Sequence, residues 1–178
     1  MDKLALLTGP LLLSKNHRVE FFDCGVAVLN DYLKKYALQN QQSQGARSYV
    51  VTRAENVVGF FTLAYGSVSP DETPPRVLQG LGRYPVPLLV LARLAVDKRE
   101  QGQGLGKALL KNALLKAQQA AEIVGLRAVL VNAKDDNARN FYEYYGFLPS
   151  PFDAYSLYLL MKDIRKTFII AKQESLVL

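Results

Sequence analysis

Between Val26 and Gln42 the apolar residues Val28, Leu29, Tyr32, Leu33, Tyr36 and Ala37 recur at intervals of three and four, with Asn30, Asp31, Lys34 and Lys35 between them. That spacing predicts an amphipathic helix, and the polar run from Gln39 to Gly45 ends it. Arg47 to Arg53 and Val57 to Tyr65 are rich in Val, Phe, Tyr and Thr, and the break at Ala54-Glu55-Asn56 predicts a β-hairpin. Residues 66 to 87 carry Pro70, Pro74, Pro75, Pro85 and Pro87, which suit neither central strands nor helix interiors, so a long loop is expected. Leu88 to Val96 is apolar apart from Arg93 and predicts a strand covered on both faces at the sheet centre. Leu105, Leu109, Ala113, Ala117, Ala121 and Val124 then form a helical stripe, with Gly125 where a C-terminal cap belongs. A strand from Leu126 to Val131, a helix capped by Asp135 or Asp136 and stopped by Gly146, and a strand from Tyr155 to Met161 complete the order. The succession predicts a mixed α/β sheet with at least one helical crossover.

Length changes this picture little: 178 residues suit one domain. With 49% apolar and 21% charged residues, 12 glycines and 8 prolines, the chain is neither collagen-like nor a low-complexity tract. Cys24 is the lone cysteine and His17 the lone histidine, so neither an internal disulfide nor a zinc cluster is expected, and both residues read as structural. Leu4 to Leu13 could pass for a leader, but Asp2 offsets Lys3, Gly9-Pro10 interrupts the run and no small-residue cleavage site follows. No stretch approaches the roughly 18 apolar residues of a membrane span. A soluble, cytoplasmic protein is expected. The net charge of +6 permits a polyanionic partner without requiring one.

The chemistry concentrates at Gln101-Gly102-Gln103-Gly104-Leu105-Gly106-Lys107, where the apolar strand feeds the striped helix. A helix start offers unpaired N–H groups and partial positive charge, and glycines let a phosphate approach the backbone, so this turn predicts a pyrophosphate site. It is not a nucleotide-triphosphate loop, because Gln101 and Ala108 stand where that pattern needs Gly and Ser or Thr. A dinucleotide fingerprint is equally unsuited, since Lys107 replaces its last glycine.

Gln101, Gly104 and Gly106 fill Q/R-x-x-G-x-G/A, which resembles the acetyl-CoA pyrophosphate loop of the GNAT N-acetyltransferases. Some thirty residues on, Asn137-Ala138-Arg139-Asn140-Phe141-Tyr142-Glu143-Tyr144-Tyr145-Gly146-Phe147 resembles the same superfamily's Asn-led helix closing on Gly-Phe. Phe22-Asp23-Cys24-Gly25, Leu29 to Leu33, Ala37 to Asn40, Tyr84 to Pro87, Leu91 to Asp97 and Ala121 to Gly125 narrow the resemblance to GNAT toxins of bacterial type II toxin–antitoxin modules. It covers most of residues 17 to 161. It implies one GNAT domain over 1–161: a mixed, mostly antiparallel sheet with a splayed pair of central strands and flanking helices. Residues 162–178, with an apolar Phe168-Ile169-Ile170 patch, form an extension of unassigned role. The implied activity is acetyl transfer from acetyl-CoA to the α-amino group of aminoacyl-tRNA, which stops translation. A ribbon-helix-helix antitoxin and a homodimer are the implied partners. By the same resemblance the backbone of Leu94, Ala95 and Val96 pairs with pantetheine, residues 101–107 hold the pyrophosphate, Asn137 contacts the cofactor arm and Tyr142 stands near the sulfur.

The chemistry agrees. A free α-amino group has a pKa near ~8, so much of it is neutral at cellular pH and no strong base is needed. Tyrosine, with a pKa of about 10, stays protonated and can donate to the departing thiolate, while a backbone N–H near Ala95 or Val96 polarises the carbonyl. On composition alone Tyr142 is as readily a core aromatic among Phe141, Tyr144, Tyr145 and Phe147; the resemblance favours the acid. Arg93 needs a partner in its apolar strand, either a structural carboxylate or the RNA terminus. Lys34, Lys35, Arg47, Arg76, Arg83 and Arg139 are further candidate phosphate contacts. Two alternatives are a GNAT enzyme acting on a small amine or protein N-terminus, and a non-catalytic CoA-fold binding module, which the intact glycines and Tyr142 disfavour.

Overall fold

The structure, a computed structural model, describes residues 4–167. Its strands are β1 Leu7–Leu12, β2 Arg47–Arg53, β3 Asn56–Val68, β4 Val86–Val96, β5 Ala128–Asn132, β6 Leu148–Pro149 and β7 Ser156–Leu160. They form one mixed sheet in the order β1-β2-β3-β4-β5-β7-β6, mostly antiparallel with one parallel pair, and β4 is its central strand. The helices are α1 Ala27–Asp31, α2 Ala37–Gln42, α3 Pro75–Leu78, α4 Leu105–Ala121 and α5 Asp136–Tyr144, with a π turn at Tyr32–Tyr36 joining α1 to α2. Proximity groups the chain into two units, Met1–Ala64 with Leu91–Ala113, and Tyr65–Val90 with Leu114–Leu178.

In the first unit the expected hairpin forms, with Arg47 opposite Leu63 and Arg53 opposite Asn56. Ala54 and Glu55 both take positive φ, 46° and 67°, the turn geometry whose twist matches the flanking strands. The Leu4 to Leu13 run, for which the pattern predicts no element, supplies the edge strand β1 on β2. Phe22, Tyr32, Leu33, Ala37, Val50, Val57, Phe60 and Ala95 make the core. The π turn admits one extra residue into the predicted helix, so Ala37 stays on the buried stripe and Tyr36 swings out to 57% exposure. In the first turn Leu29, not Val28, packs against the core. β4 departs from its expected double cover. Leu91 and Ala95 are buried, but Ala92 is exposed and Leu94 and Val96 are half-buried, so the apolar run marks a strand with one face available to a ligand.

In the second unit much of the expected 66–87 loop is ordered: β3 runs to Val68, Pro70–Glu72 is a 3-10 turn, and α3 precedes β4. Pro70 and Pro75 open helical turns, where no N–H is required, and Pro87 is only the second residue of β4. Arg127 fastens α3, its guanidinium donating to the carbonyls of Val77 and Gln79, both at 2.7 Å. α4 stops before Gly125, whose φ is not positive. The N–H groups of Ile123 and Val124 both return to the Ala120 carbonyl, closing the helix earlier. β5 and β6 both pair antiparallel with β7 over a core of Val77, Val86, Leu88, Ala128, Tyr158 and Leu160. Residues 161–167 are helical, with Met161 and Ile164 buried; the Phe168 to Ile170 patch lies outside the described residues.

Candidate active site

At the start of α4, Gly102 and Gly104 adopt φ of +76° and +83°, and a Cβ on either would meet nothing within 4 Å. The left-handed backbone favours glycine there, and space lies open beside it. Ala108 N–H makes the first helical bond to Gly104, at 3.1 Å. The preceding amides of Leu105, Gly106 and Lys107 have no carbonyl one turn back to bond, so they suit a phosphate. Gln103 and Lys107 are exposed on the same turn.

The Gln101 side chain ties the turn to neighbouring segments. Its Nε2 donates to the carbonyls of Val96 at 2.9 Å and Cys24 at 3.2 Å, fastening the turn to the end of β4 and to the loop before α1. That loop is itself locked. Asp23 accepts from Gly25 N–H and Asn30 Nδ2, both at 2.9 Å, and from Lys98 Nζ at 3.1 Å, which together hold its carboxyl down at about 2. Burial opposes charge on Asp97, yet two bonds from the Arg99 guanidinium, at 2.7 and 2.6 Å, keep its pKa below the ordinary value. Glu100, buried immediately before the turn, is held by Arg53 Nε at 2.6 Å and Nη2 at 3.2 Å. Sequence reading assigned none of Asp23, Asn30, Asp97 and Glu100 a role; Arg53 and Lys98, the cations on Glu100 and Asp23, lie far off in the chain, and the local bonds of Asp23 and Asp97 leave no periodic signal.

Among the described residues Arg93 finds an aromatic partner, not a carboxylate: its guanidinium carbon stands 3.5 Å from the centre of the Tyr32 ring. Such a contact contributes about 0.5–2 kcal/mol and lets a cation remain in an apolar strand. The two residues border a cavity of about 400 Å³ completed by Tyr36, Gln39, Asn40 and Ser43. Sequence reading missed this helix face, although Tyr32, Tyr36 and Asn40 at four-residue spacing signal it.

In the other unit Asp135 caps α5, accepting from Ala138 N–H at 2.8 Å, and Gly146, at φ +94°, stops it. Tyr142 is 8% exposed, edge-on to Phe141 and Phe147 at 5.1 and 5.4 Å. Burial pushes its hydroxyl pKa well above the usual tyrosine value, so it stays protonated. Asn137 is exposed on the first turn of α5. The candidate cations differ in availability: Lys34, Arg47 and Arg83 are exposed, Lys35 pairs with Asp31 at 3.0 Å, and Arg139 with Glu143 at 3.0 Å. Arg76 is engaged by Asp163 at 2.8 Å. His17 ties a turn through Nδ1 to Ser14 N–H at 3.0 Å. Among the described residues no group of three or more side chains could hold a metal, and no helix is long and apolar enough to cross a membrane.

A glycine turn at a helix start, beside a half-covered central strand, is the arrangement the sequence pattern anticipates for an acetyl-CoA loop. Residues 18–154 match the acetyltransferase (GNAT) domain. The chain belongs to the GNAT acetyltransferases. As a GNAT enzyme it is 46% identical over 158 residues to the "tRNA-acetylating toxin" of Mycobacterium tuberculosis (strain ATCC 25618 / H37Rv), covering 89% of this chain and 95% of that relative. It is 27% identical over 166 residues to the "Probable toxin TacT" of Sinorhizobium fredii (strain NBRC 101917 / NGR234), covering 88% and 91%. Among solved GNAT structures, AtaT complexed with acetyl-methionyl-tRNAfMet matches with a TM-score of 0.82 at 25% identity over 92% of this chain and 98% of that one. A mutant AtaT toxin bound to acetyl-CoA and the C-terminus of the antitoxin AtaR matches with a TM-score of 0.78 at 26% identity, over 92% and 98%.

Proposed function

We propose that this acetyltransferase is a toxin that transfers acetyl from acetyl-CoA to the α-amino group of aminoacyl-tRNA in the cytoplasm and so blocks translation. The 46% identity to a tRNA-acetylating toxin over nearly the whole chain carries the reading. The amides at residues 105–107 receive the pyrophosphate, and the exposed Gly102, Gln103 and Gly104 leave it room. The backbone of Leu94, Ala95 and Val96 on β4 pairs with the pantetheine amides. Asn137 meets the cofactor arm. The neutral α-amino nitrogen attacks the thioester carbonyl carbon, whose oxygen a β4 N–H at Ala95 or Val96 polarises. The C–N bond forms, the C–S bond breaks, and the sulfur leaves with the proton of Tyr142, which the nitrogen's proton replaces through solvent. Because burial makes Tyr142 a weak acid, it acts as the C–S bond breaks and does not ionise beforehand.

Arg93 lines the acceptor site, and Lys34, Arg47 and Arg83 meet phosphates, with Lys35 and Arg139 contributing after exchange from their carboxylates. A ribbon-helix-helix antitoxin neutralises the enzyme, which acts as a homodimer. Incubation with labelled acetyl-CoA and charged tRNA should place the label on the aminoacyl group and leave deacylated tRNA unlabelled. Label on a small amine but never on charged tRNA would replace this reading by the small-amine acetyltransferase.

A further inference from the structure

The cavity bordered by Arg93 and the helical face Tyr32 to Ser43 has a chemistry of its own. Among the described residues no carboxylate lines it, so its lining does not favour a cationic amine. At 3.5 Å the Arg93 guanidinium stacks on Tyr32, and Tyr32 stacks in turn with the buried Phe60 at 6.5 Å and an interplanar angle of 20°. The series of planar groups, phenyl, phenol and guanidinium, ends at the cavity, where a further planar group would extend it.

The remaining lining is amide and hydroxyl. Asn40 Nδ2 donates to the Tyr32 hydroxyl at 3.4 Å, and Ser43 Oγ donates to the carbonyls of Gln39 and Asn40 at 3.0 and 3.2 Å. Those bonds orient Asn40 and Ser43, whereas Gln39 is exposed and carries both a carbonyl acceptor and an amino donor. One amide offering donor and acceptor side by side matches the adenine N7 acceptor and N6 amino donor. Guanine presents two acceptors there and calls for an arginine fork, but the Arg93 guanidinium is held over the Tyr32 ring, its carbon 3.5 Å from the centroid.

We propose that this cavity takes one unstacked adenine base, stacked on Arg93 and read by the Gln39 amide: the terminal adenosine of the acceptor tRNA. The assignment of that base to tRNA rests on the aminoacyl-tRNA reading above. Every tRNA ends in adenosine, and the aminoacyl ester hangs from its ribose. A pocket for that base seats the amine without reference to the isoacceptor, so choice among tRNAs falls to contacts elsewhere.

Equilibrium binding of the trinucleotides CCA and CCU at one fixed salt concentration tests this with the wild-type protein. CCA should bind about 5- to 150-fold more tightly. Gln39→Ala, a helix-compatible change, should reduce CCA to the affinity of CCU, and Arg93→Lys, which keeps the charge but loses the plane, should weaken both. Equal binding of CCA and CCU by the wild type, or a full preference retained in Gln39→Ala, overturns the pocket. A CCA preference in a protein that acetylates no aminoacyl-tRNA upholds the pocket and removes the substrate reading; acetylation without the preference does the reverse.

Discussion

Arg53 on β2 grips Glu100, the residue before the glycine turn, through both carboxylate oxygens, at 2.6 and 3.2 Å. The same guanidinium donates to the Ala5 carbonyl, so a single side chain ties the approach to β1, strand β2 and the entrance of the turn. Breaking a buried pair by removing one partner leaves the other uncompensated. Glu100→Ala should therefore lower the melting temperature and raise the KM for acetyl-CoA more than it changes kcat. An unchanged KM beside a lowered melting temperature would confine the pair to stability.

Tyr142→Phe deletes one buried hydroxyl and almost no volume. It should fold like the wild type and lose ~10²–10⁴-fold in kcat. Because burial raises the Tyr142 pKa, the wild-type rate should climb with deprotonation of the α-amino group near ~8 and show no fall before about pH 10. A descending limb below that pH, absent from the Phe variant, would mean that Tyr142 ionises during turnover.

Gly104 separates strain from exclusion. Gly104→Ala places a side chain at φ +83°, which costs about 1–2 kcal/mol, but its Cβ meets open space. It should melt earlier and still bind acetyl-CoA in calorimetry. Gly104→Glu adds bulk and negative charge where the pyrophosphate is assigned, and binding should become undetectable. Retained affinity in the Glu variant would move the phosphate site elsewhere.

Asp23 gives the loop before α1 an acid-sensitive anchor. Its folded pKa of about 2 lies below the ordinary 3.8, so it binds fewer protons folded than unfolded in that interval. Its contribution to stability is complete above pH about 4 and fades as pH falls to about 2. The gap in melting temperature between wild type and Asp23→Asn should shrink across that window, and a gap constant from pH 5 to 2 would show that the carboxylate charge contributes nothing.

Salt dependence tests the tRNA surface. Each phosphate contact contributes roughly −0.7 to −0.9 to the slope of log affinity against log salt. Lys34→Ala should flatten the slope by about one such step, and Lys35→Ala by less, because Asp31 already competes for that ammonium at 3.0 Å. A wild-type slope near zero would argue against the tRNA substrate.

The sequence by itself determined what depends on near neighbours. The hairpin followed from two β-rich runs across a short break, α5 from Asp135 and Gly146, and the glycine turn from residues that only its backbone conformation explains. The superfamily was legible for the same reason, since its motifs are contiguous. Tertiary structure decided whatever joins distant segments. Arg93 reads as a charge in need of a partner, and only folding brings Tyr32 under it; the Gln101 side chain likewise meets the Cys24 and Val96 carbonyls only once separate segments come together. The π turn has no local signature that the periodicity reveals; its extra residue turns Tyr36 away from the core and out to the cavity it shares with Arg93. Hydrophobic period and turn chemistry act over a few residues, whereas a stacking partner, a buried ion pair and an uncovered strand face exist only once separate segments meet.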